Sequence, residues 1–293
     1  MINRLTNNEF FSDPRLYLEV LPRTPQIPYP RHTHDFSELV IVSGGEGIHF
    51  IGDEEYLIRS GDIFIIQGER AHGYDHIEGL TLYNIIFDPD LFNSIGEDLD
   101  EIRGYHALFK WEPRLRSVNN FESRLRLPPS ELDYVLNLVE NIEKEIEKKR
   151  EGYRLMSKVL FLELCGFLSR RYTHSSRQGL VDLSRIAGIL TFLENNVNRF
   201  LSIGEILEMA GLSESTLQRL FRKTTGFSPM EYHKRLRIRK VCEVLRHSDK
   251  TVTEIAYDLG YQDSNYMTRQ FRAVTGHTPL NYRKDPSLPL AAE

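Results

Sequence analysis

The strongest constraint on the fold is an internal repeat between Leu201 and Tyr282. One copy reads I-G-E-I-L-E-M-A-G-L-S-E-S-T-L-Q-R-L-F-R-K-T-T-G-F-S-P from Ile203. The other reads V-T-E-I-A-Y-D-L-G-Y-Q-D-S-N-Y-M-T-R-Q-F-R-A-V-T-G-H-T-P from Val252. Laid over one another, they match Glu205-Ile206 to Glu254-Ile255, Gly211 to Gly260 and Ser215 to Ser264. After a slip of one residue, Phe221, Gly226, Pro229 and Tyr232 match Phe271, Gly276, Pro279 and Tyr282. Two copies are too few for a solenoid, so this is a duplicated unit.

Each copy predicts helix, sharp turn, helix. Ile206, Leu207 and Ala210 share one face, as do Ile255, Ala256 and Leu259. Gly211 and Gly260 fall at the turn, where glycine tolerates positive φ. Ser213 and Asp263 are placed to cap the following helix by accepting its orphan N–H groups. This is the helix-turn-helix plan, whose second helix can enter a major groove. A pair of αα-hairpins within a helical domain would share the pattern, but the polar face of each second helix favours DNA. Ser215, Thr216, Gln218, Arg219, Arg222 and Lys223 are candidates in the first copy; Asp263, Asn265, Thr268, Arg269 and Arg272 in the second. Arg suits guanine and Asn or Gln suits adenine, whereas a merely solvated face would carry more Glu and Lys.

The second copy, D-L-G-Y-Q-D-S-N-Y-M-T-R-Q-F-R-A-V-T-G-H-T-P-L-N-Y-R, resembles the DNA-binding signature of the AraC/XylS family of bacterial transcription regulators. The resemblance implies two helix-turn-helix units on one long joining helix, with both recognition helices in successive major grooves. The joining helix is expected from Pro229 to Arg246. Its basic run, Lys234-Arg235, Arg237 and Arg239-Lys240, is either phosphate-facing or solvated.

Charge agrees with that reading only when its distribution is considered. The net charge is −5, yet residues 183–284 hold 16 Lys/Arg against 10 Asp/Glu, +6, which leaves −11 for the rest. A basic C-terminal third suits contact with phosphate. No apolar run is long enough to span a bilayer and no signal-peptide core opens the chain, so the expected location is cytoplasmic and off the membrane. Cys165 and Cys242 lack partners at metal spacing and read as buried apolar residues.

The amino-terminal part shows short β-runs. Candidate strands are Tyr17 to Val20, Glu38 to Val42, Gly47 to Ile51, Glu55 to Ile58, Asp62 to Ile66 and Leu80 to Phe87, with a proline-rich stretch from Pro22 to Pro30. Gly44-Gly45, Gly52-Asp53, Ser60-Gly61 and Glu78-Gly79 read as turns between them, which suggests a small antiparallel sandwich or barrel. The run H-T-H-D-F-S-E from His32 to Glu38, followed by Gly45, matches the first cupin motif. The second motif is half present. Gly61 and His72 fall at the expected spacing, but Gln67, Glu69 and His76 replace a proline, a glycine and an asparagine. His32, His34, Glu38 and His72 are therefore candidate ligands of a divalent metal such as Zn, Fe, Mn or Ni.

The same stretch, R-H-T-H-D-F-S-E-L-V-I-V with L-Y-N-I-I-F, resembles the effector domain of sugar-responsive AraC/XylS regulators, most of all the rhamnose-responsive members. That resemblance implies a sugar pocket requiring no cofactor. His32, His34, Glu38, His72 and Asn84 would hydrogen-bond hydroxyls, and Phe36, Phe64 or Tyr83 would supply an apolar platform. A purely structural polar cluster is the third reading.

Between residues 91 and 127 no sharp pattern appears; Trp111 packs on the barrel or lines the pocket. A helix is expected from Pro128-Pro129-Ser130, with Ser130 and Asp133 as its capping box. Leu132, Val135, Val139, Ile142 and Ile146 form a seam suited to a partner helix. The seam lies either on the protein's own barrel or at a dimer contact, which the family resemblance favours. Gly152 breaks the pattern before a second helix, Leu155 to Tyr172.

The expected α+β organisation is a cupin-like effector domain (1–127), a helical dimerisation segment (128–173), a linker (174–182), an AraC-type DNA-binding domain (183–284) opened by a helix over 183–196, and a tail (285–293). The expected function is a dimeric transcription regulator, by family habit an activator. Its partners would be promoter DNA, a small-molecule effector, namely a sugar, and RNA polymerase. The competing readings are a metal-dependent cupin enzyme for oxidation or isomerisation, and a metal-sensing regulator.

Overall fold

The computed structural model describes residues 3–67, 70–88, 91, 99, 102–116, 124–174 and 178–285. Glu69, linker residues 175–177 and the tail from 286 lie outside them. The chain divides into two compact units, Met1–Ser184 and Arg185–Glu293.

In the first unit the strands are β1 (Asn3–Leu5), β2 (Leu18–Arg23), β3 (Tyr29–His34), β4 (Ser37–Ile51), β5 (Glu54–Arg59), β6 (Asp62–Gln67), β7 (His72–Phe87) and β8 (Leu125–Arg126). They form one sheet in the order β1-β3-β7-β4-β6-β8, with β2 also on β7 and β5 also on β4. Two expectations change here. Gly44-Gly45 and Glu78-Gly79 are not turns between strands. They lie inside β4 and β7, which pair antiparallel over nearly their whole length. The sheet is also mixed, because β1 runs parallel to β3.

The glycines are needed where the two long strands bend across each other. Gly45 has φ +68°, and a Cβ there would stand 2.2 Å from the Gly79 carbonyl oxygen. No other residue fits both conditions. The β4–β7 register shifts between Val42 and Gly44 and again between Glu46 and Ile48. Such bulges sharpen the local bend of a strand pair. The bent sheet encloses Val40, Val42, Ile51, Tyr56, Ile58, Phe64, Ile66, Tyr74, Leu80 and Leu82 as one core. This is the expected cupin-like barrel.

The opposite face is also covered. Leu39, Ile41, Ile63, Ile65 and Ile85 are buried beside a helical layer. α1 (Asn7–Phe10) packs Phe10 near Phe36 instead; the layer is α2 (Arg103–Tyr105, continuing through a π-helical stretch His106–Trp111 into Glu112–Leu115), α3 (Pro129–Lys148) and α4 (Tyr153–Thr173). Trp111 is fully buried in α2, which contacts β6. Within α2, Arg116 just past its end pairs with Glu112 at 2.6 Å and donates to the Ile65 carbonyl at 2.5 Å.

α3 begins two residues earlier than the expected Ser130 cap implies, at Pro129, with Pro128 at the cap and no capping side chain. Proline is pre-set for the first helical position, which puts Ser130 inside the first turn, where its hydroxyl cannot cap. The α3 seam residues Leu132, Val135, Val139, Ile142 and Ile146 are buried within the chain, where α3 packs on α4 and β2. The expected dimer contact on this face is therefore replaced by the intramolecular one.

The remaining helices are α5 (Gln178–Asn195), α6 (Ile203–Ala210), α7 (Glu214–Thr225), α8 (Pro229–His247), α9 (Val252–Asp258), α10 (Ser264–Thr275) and α11 (Pro279–Lys284). α5 starts inside the expected linker, and the division between the units falls within it. The second helix-turn-helix has its own core of Ile255, Ala256, Tyr261, Met267, Phe271 and Tyr282 packed on Ile238, Val241 and Cys242 of α8. No helix among the described residues is long and apolar enough to cross a membrane.

Candidate functional site

A small cleft in the first unit, partly open to solvent, is lined by polar and aromatic side chains. Arg23, Gln26, His32, Glu38 and Asn84 supply the polar groups, and Phe10, Tyr29, Phe36 and Tyr74 the rings. The strands explain this convergence. β3 pairs with β7 so that His32 faces His72, and β4 places Glu38 opposite Ile86 and Val40 opposite Asn84.

Beneath the cleft, His34 Nε2 and His72 Nε2 lie 3.4 and 3.3 Å from the same atom, Glu38 Oε2. All three side chains are buried, and none of these three atoms has a hydrogen-bond partner. The other ring nitrogens are engaged: His34 Nδ1 meets the Phe36 carbonyl at 2.7 Å and His72 Nδ1 the Arg70 carbonyl at 3.1 Å. His32 Nδ1 meets the Pro30 carbonyl at 3.1 Å. A carbonyl accepts only, so each Nδ1 carries a proton. Burial, with the neighbouring His72 ring, pushes the His32 pKa down to about 4. Burial would raise Glu38, but the His34 and His72 rings outweigh it and hold the carboxyl below its usual range.

Of the four candidate metal ligands, His34, Glu38 and His72 bring one donor atom each within 4.8 Å of one another; His32 stands outside that cluster and lines the cleft instead. Of the expected apolar platform, only Phe36 lines the cleft. Phe64 belongs to the barrel core. Tyr83 alternates with Asn84 and so faces the helical layer, where burial and then Glu143 and Glu140 raise its hydroxyl pKa.

Arg23, Gln26, Tyr74 and His49 were not legible as site residues. His49 is fully buried with both ring nitrogens lacking a hydrogen bond, and burial holds its pKa well below the ordinary value. The extra residue of β4 between Val42 and Gly44 puts His49, not Ile48, on the inner face, beside Tyr74, 5.0 Å away between ring centroids. Tyr74 Oη and Asn84 Oδ1 also lack partners, so the interior holds unmet hydrogen-bonding capacity, which is costly in a buried place unless a ligand meets it.

In the second unit both helix-turn-helix turns have the expected geometry. Gly211 and Gly260 adopt φ +60° and +70°. A Cβ on Gly260 would stand 2.2 Å from the Asn198 carbonyl oxygen. Ser213 caps α7. Asp263 caps α10 by accepting from the backbone N–H of Asn265 at 2.9 Å and of Tyr266 at 3.2 Å. The first helix of each copy carries a capping box, Ser202 with Glu205 and Thr251 with Glu254, which accounts for the matched glutamates. Ser215, Arg219, Arg222, Lys223, Asn265, Arg269 and Arg272 are exposed, and Thr216, Gln218 and Thr268 half-buried on the same faces.

Much of the basic run of α8 is paired within the helix or buried. Lys234 and Arg235 pair with Glu231, and Lys240 pairs with Glu243 at 2.9 Å. Arg237 is buried. Its Nε donates to the Val197 carbonyl at 3.1 Å and its Nη2 to the Leu259 carbonyl at 2.6 Å. Its guanidinium lies 3.8 Å from the Phe200 ring centroid and 4.0 Å from that of Tyr261.

Two family models match the two parts of the chain. One described as "Helix-turn-helix domain" covers residues 206–285, and one described as "AraC-like ligand binding domain" covers 21–165. Together they define a ligand-binding protein that acts on DNA. The HTH-type transcriptional activator RhaS of Enterobacter sp. (strain 638) is 32% identical over 285 residues, 96% of this chain and 97% of that protein. Its counterpart from Escherichia coli O1:K1 / APEC is 30% identical over 277 residues, 94% and 95% of the two chains. This chain belongs to the AraC/XylS family of transcription regulators. Its relatives are regulators, so the enzyme alternative falls away. A solved structure of a probable AraC family transcriptional regulator from Rhodopseudomonas palustris CGA009 is 23% identical, with TM-score 0.32, covering 36% of this chain and 98% of that one.

Proposed function

We propose that this protein is a transcriptional activator whose effector is a hydroxyl-rich small molecule, a sugar, bound at the barrel cleft. The carrying observation is the cleft lining: Arg23, Gln26, His32, Glu38 and Asn84 converge beside Tyr29, Phe36 and Tyr74. A few placed polar groups beside ring faces suit a sugar, whose rim hydrogen-bonds and whose C–H faces stack. The full-length relatives named as transcriptional activators support the sign of regulation.

The protein works as a homodimer on promoter DNA and contacts RNA polymerase. Support for the dimer comes from α4, where Leu155, Met156 and Val159 are 66%, 46% and 47% exposed. Three large apolar side chains on one exposed turn suit a self-complementary contact. On DNA, Arg219 and Arg269 read bases with Ser215, Gln218 and Asn265, while Arg222, Lys223 and Arg272 meet phosphate. Asp263 is assigned to capping α10, since both carboxylate oxygens are used there. Thermal melting of the full chain against a monosaccharide panel tests the effector assignment. A ligand that binds only the folded state raises the midpoint, and the expected responder is rhamnose or a near relative. A flat response across the panel refutes the assignment.

A further inference from the structure

We propose that Tyr266 is a positioning residue for DNA recognition: its ring sets the Arg269 guanidinium in advance for the base it reads. The matched arginines of the two copies differ in what precedes them. Three residues before Arg219 stands Thr216; three residues before Arg269 stands Tyr266. Positions three apart share a face of a helix, so the contrast decides what each arginine can lean on. The Thr216 hydroxyl accepts from the Ser213 hydroxyl at 2.9 Å and belongs to the cap of α7. The Arg269 guanidinium carbon lies 5.8 Å from the centroid of the Tyr266 ring, within the range at which a ring face attracts a cation.

The ring is itself held. Its hydroxyl accepts from Gln270 Nε2 at 2.7 Å, and the Tyr266 backbone N–H donates to the Asp263 cap at 3.2 Å. The Phe200 ring lies 6.0 Å away and the Tyr261 ring 6.4 Å. Those two rings flank the buried Arg237 guanidinium at 3.8 and 4.0 Å. Tyr266 is therefore tied to the braced core of its unit, although 40% of it is exposed. An exposed arginine loses rotamer freedom when it binds. Contact with a fixed ring restricts that freedom beforehand, which lowers the cost of binding without adding a contact to DNA. α10 thus presents its arginine already placed, whereas α7 has no ring at the matched position. The assignment rests on the reading that Arg269 contacts a base.

The test uses the full-length protein and a duplex that it selects from a randomised pool. Tyr266→Leu keeps apolar contact with Phe200 and Tyr261 but removes the ring; Tyr266→Phe keeps the ring. Y266L should weaken binding of the selected duplex about two- to fivefold. It should also relax preference at the same base position that Arg269→Ala relaxes, and Y266F should restore both. Added to R269A, Y266L should cost nothing further; added to Arg219→Ala, its cost should stay whole. A full Y266L cost on the R269A background overturns the proposal, because Tyr266 then acts without Arg269. Relaxation by Y266L spread evenly over all positions overturns it equally. Should Y266L fail to fold, Tyr266→Thr, the residue of the matched position, carries the same comparison. If R269A relaxes no position, the base-reading assignment fails, and the double-variant cycle in affinity still decides whether the pair is coupled. If R269A relaxes one position and Y266L does not, the positioning role alone fails.

Discussion

Arg237 Nη2 donates to the Leu259 carbonyl oxygen at 2.6 Å, from a side chain that is only 1% exposed. Leu259 ends the first helix of the second helix-turn-helix, and Arg237 Nε holds Val197 just after α5. With Phe200 and Tyr261 on its faces, the guanidinium ties the start of the DNA-binding unit to its second half. Replacing Arg237 by Met keeps the volume and leaves two buried carbonyls unmet. The unit should lose about 2–4 kcal/mol, read by chemical denaturation, and DNA affinity should fall while effector melting shifts persist in the first unit. An unchanged denaturation midpoint would remove the bracing role.

The two classes of exposed arginine should separate on DNA. Arg219→Ala is expected to cost about 1–3 kcal/mol on the operator and to relax preference at one base position. Arg272→Ala should weaken specific and random DNA alike and lower the salt slope by about one. Competition binding at two salt concentrations decides it; equal behaviour of both variants would dissolve the distinction.

Charge on the exposed turn of α4 should break self-association. Leu155→Asp with Val159→Asp removes two apolar side chains from the contact, and a dimer formed there should weaken at least about 100-fold. Sedimentation measures it. A double variant as dimeric as the wild type would move the interface elsewhere.

A pH effect is expected from the Glu205 capping box. Backbone N–H donation from Ser202, then Arg199 at 2.6 Å, holds the carboxyl at about 2 in the folded state. A lowered folded pKa means the contribution is present above the unfolded value near 4.5 and is lost as pH falls from there toward 2. The difference in melting midpoint between wild type and Glu205→Gln should therefore be full at neutral pH and shrink through that window. A difference constant with pH would assign the cap to geometry alone.

The parts readable from the chain were those whose physics is local. Gly211 and Gly260 mark left-handed turns, Ser213 and Asp263 cap the helices after them, and the repeat phases the exposed arginines, all within about twenty residues. The first cupin-like motif was readable because its histidines and glutamate lie on two successive strands, where alternation points them one way.

The rest depended on where distant segments meet. One extra residue in β4 between Val42 and Gly44 decides that His49 and not Ile48 points inward, and alternation counted along an unbroken strand gives the opposite answer. The α3 seam announced a buried face but not its partner, because periodicity measures amphipathicity alone; packing on α4 and β2 consumed it and left α4 with the exposed apolar turn. Arg237 stood in a basic run that looked solvated until the second helix-turn-helix closed over it. The sequence by itself determined the duplicated DNA-binding unit and the residues offered to a ligand. The tertiary structure alone decided which of them converge: His34, Glu38 and His72 meet because β3, β4 and β7 are neighbours in the bent sheet. His32 and Asn84 are left to the cleft by the register of those strands.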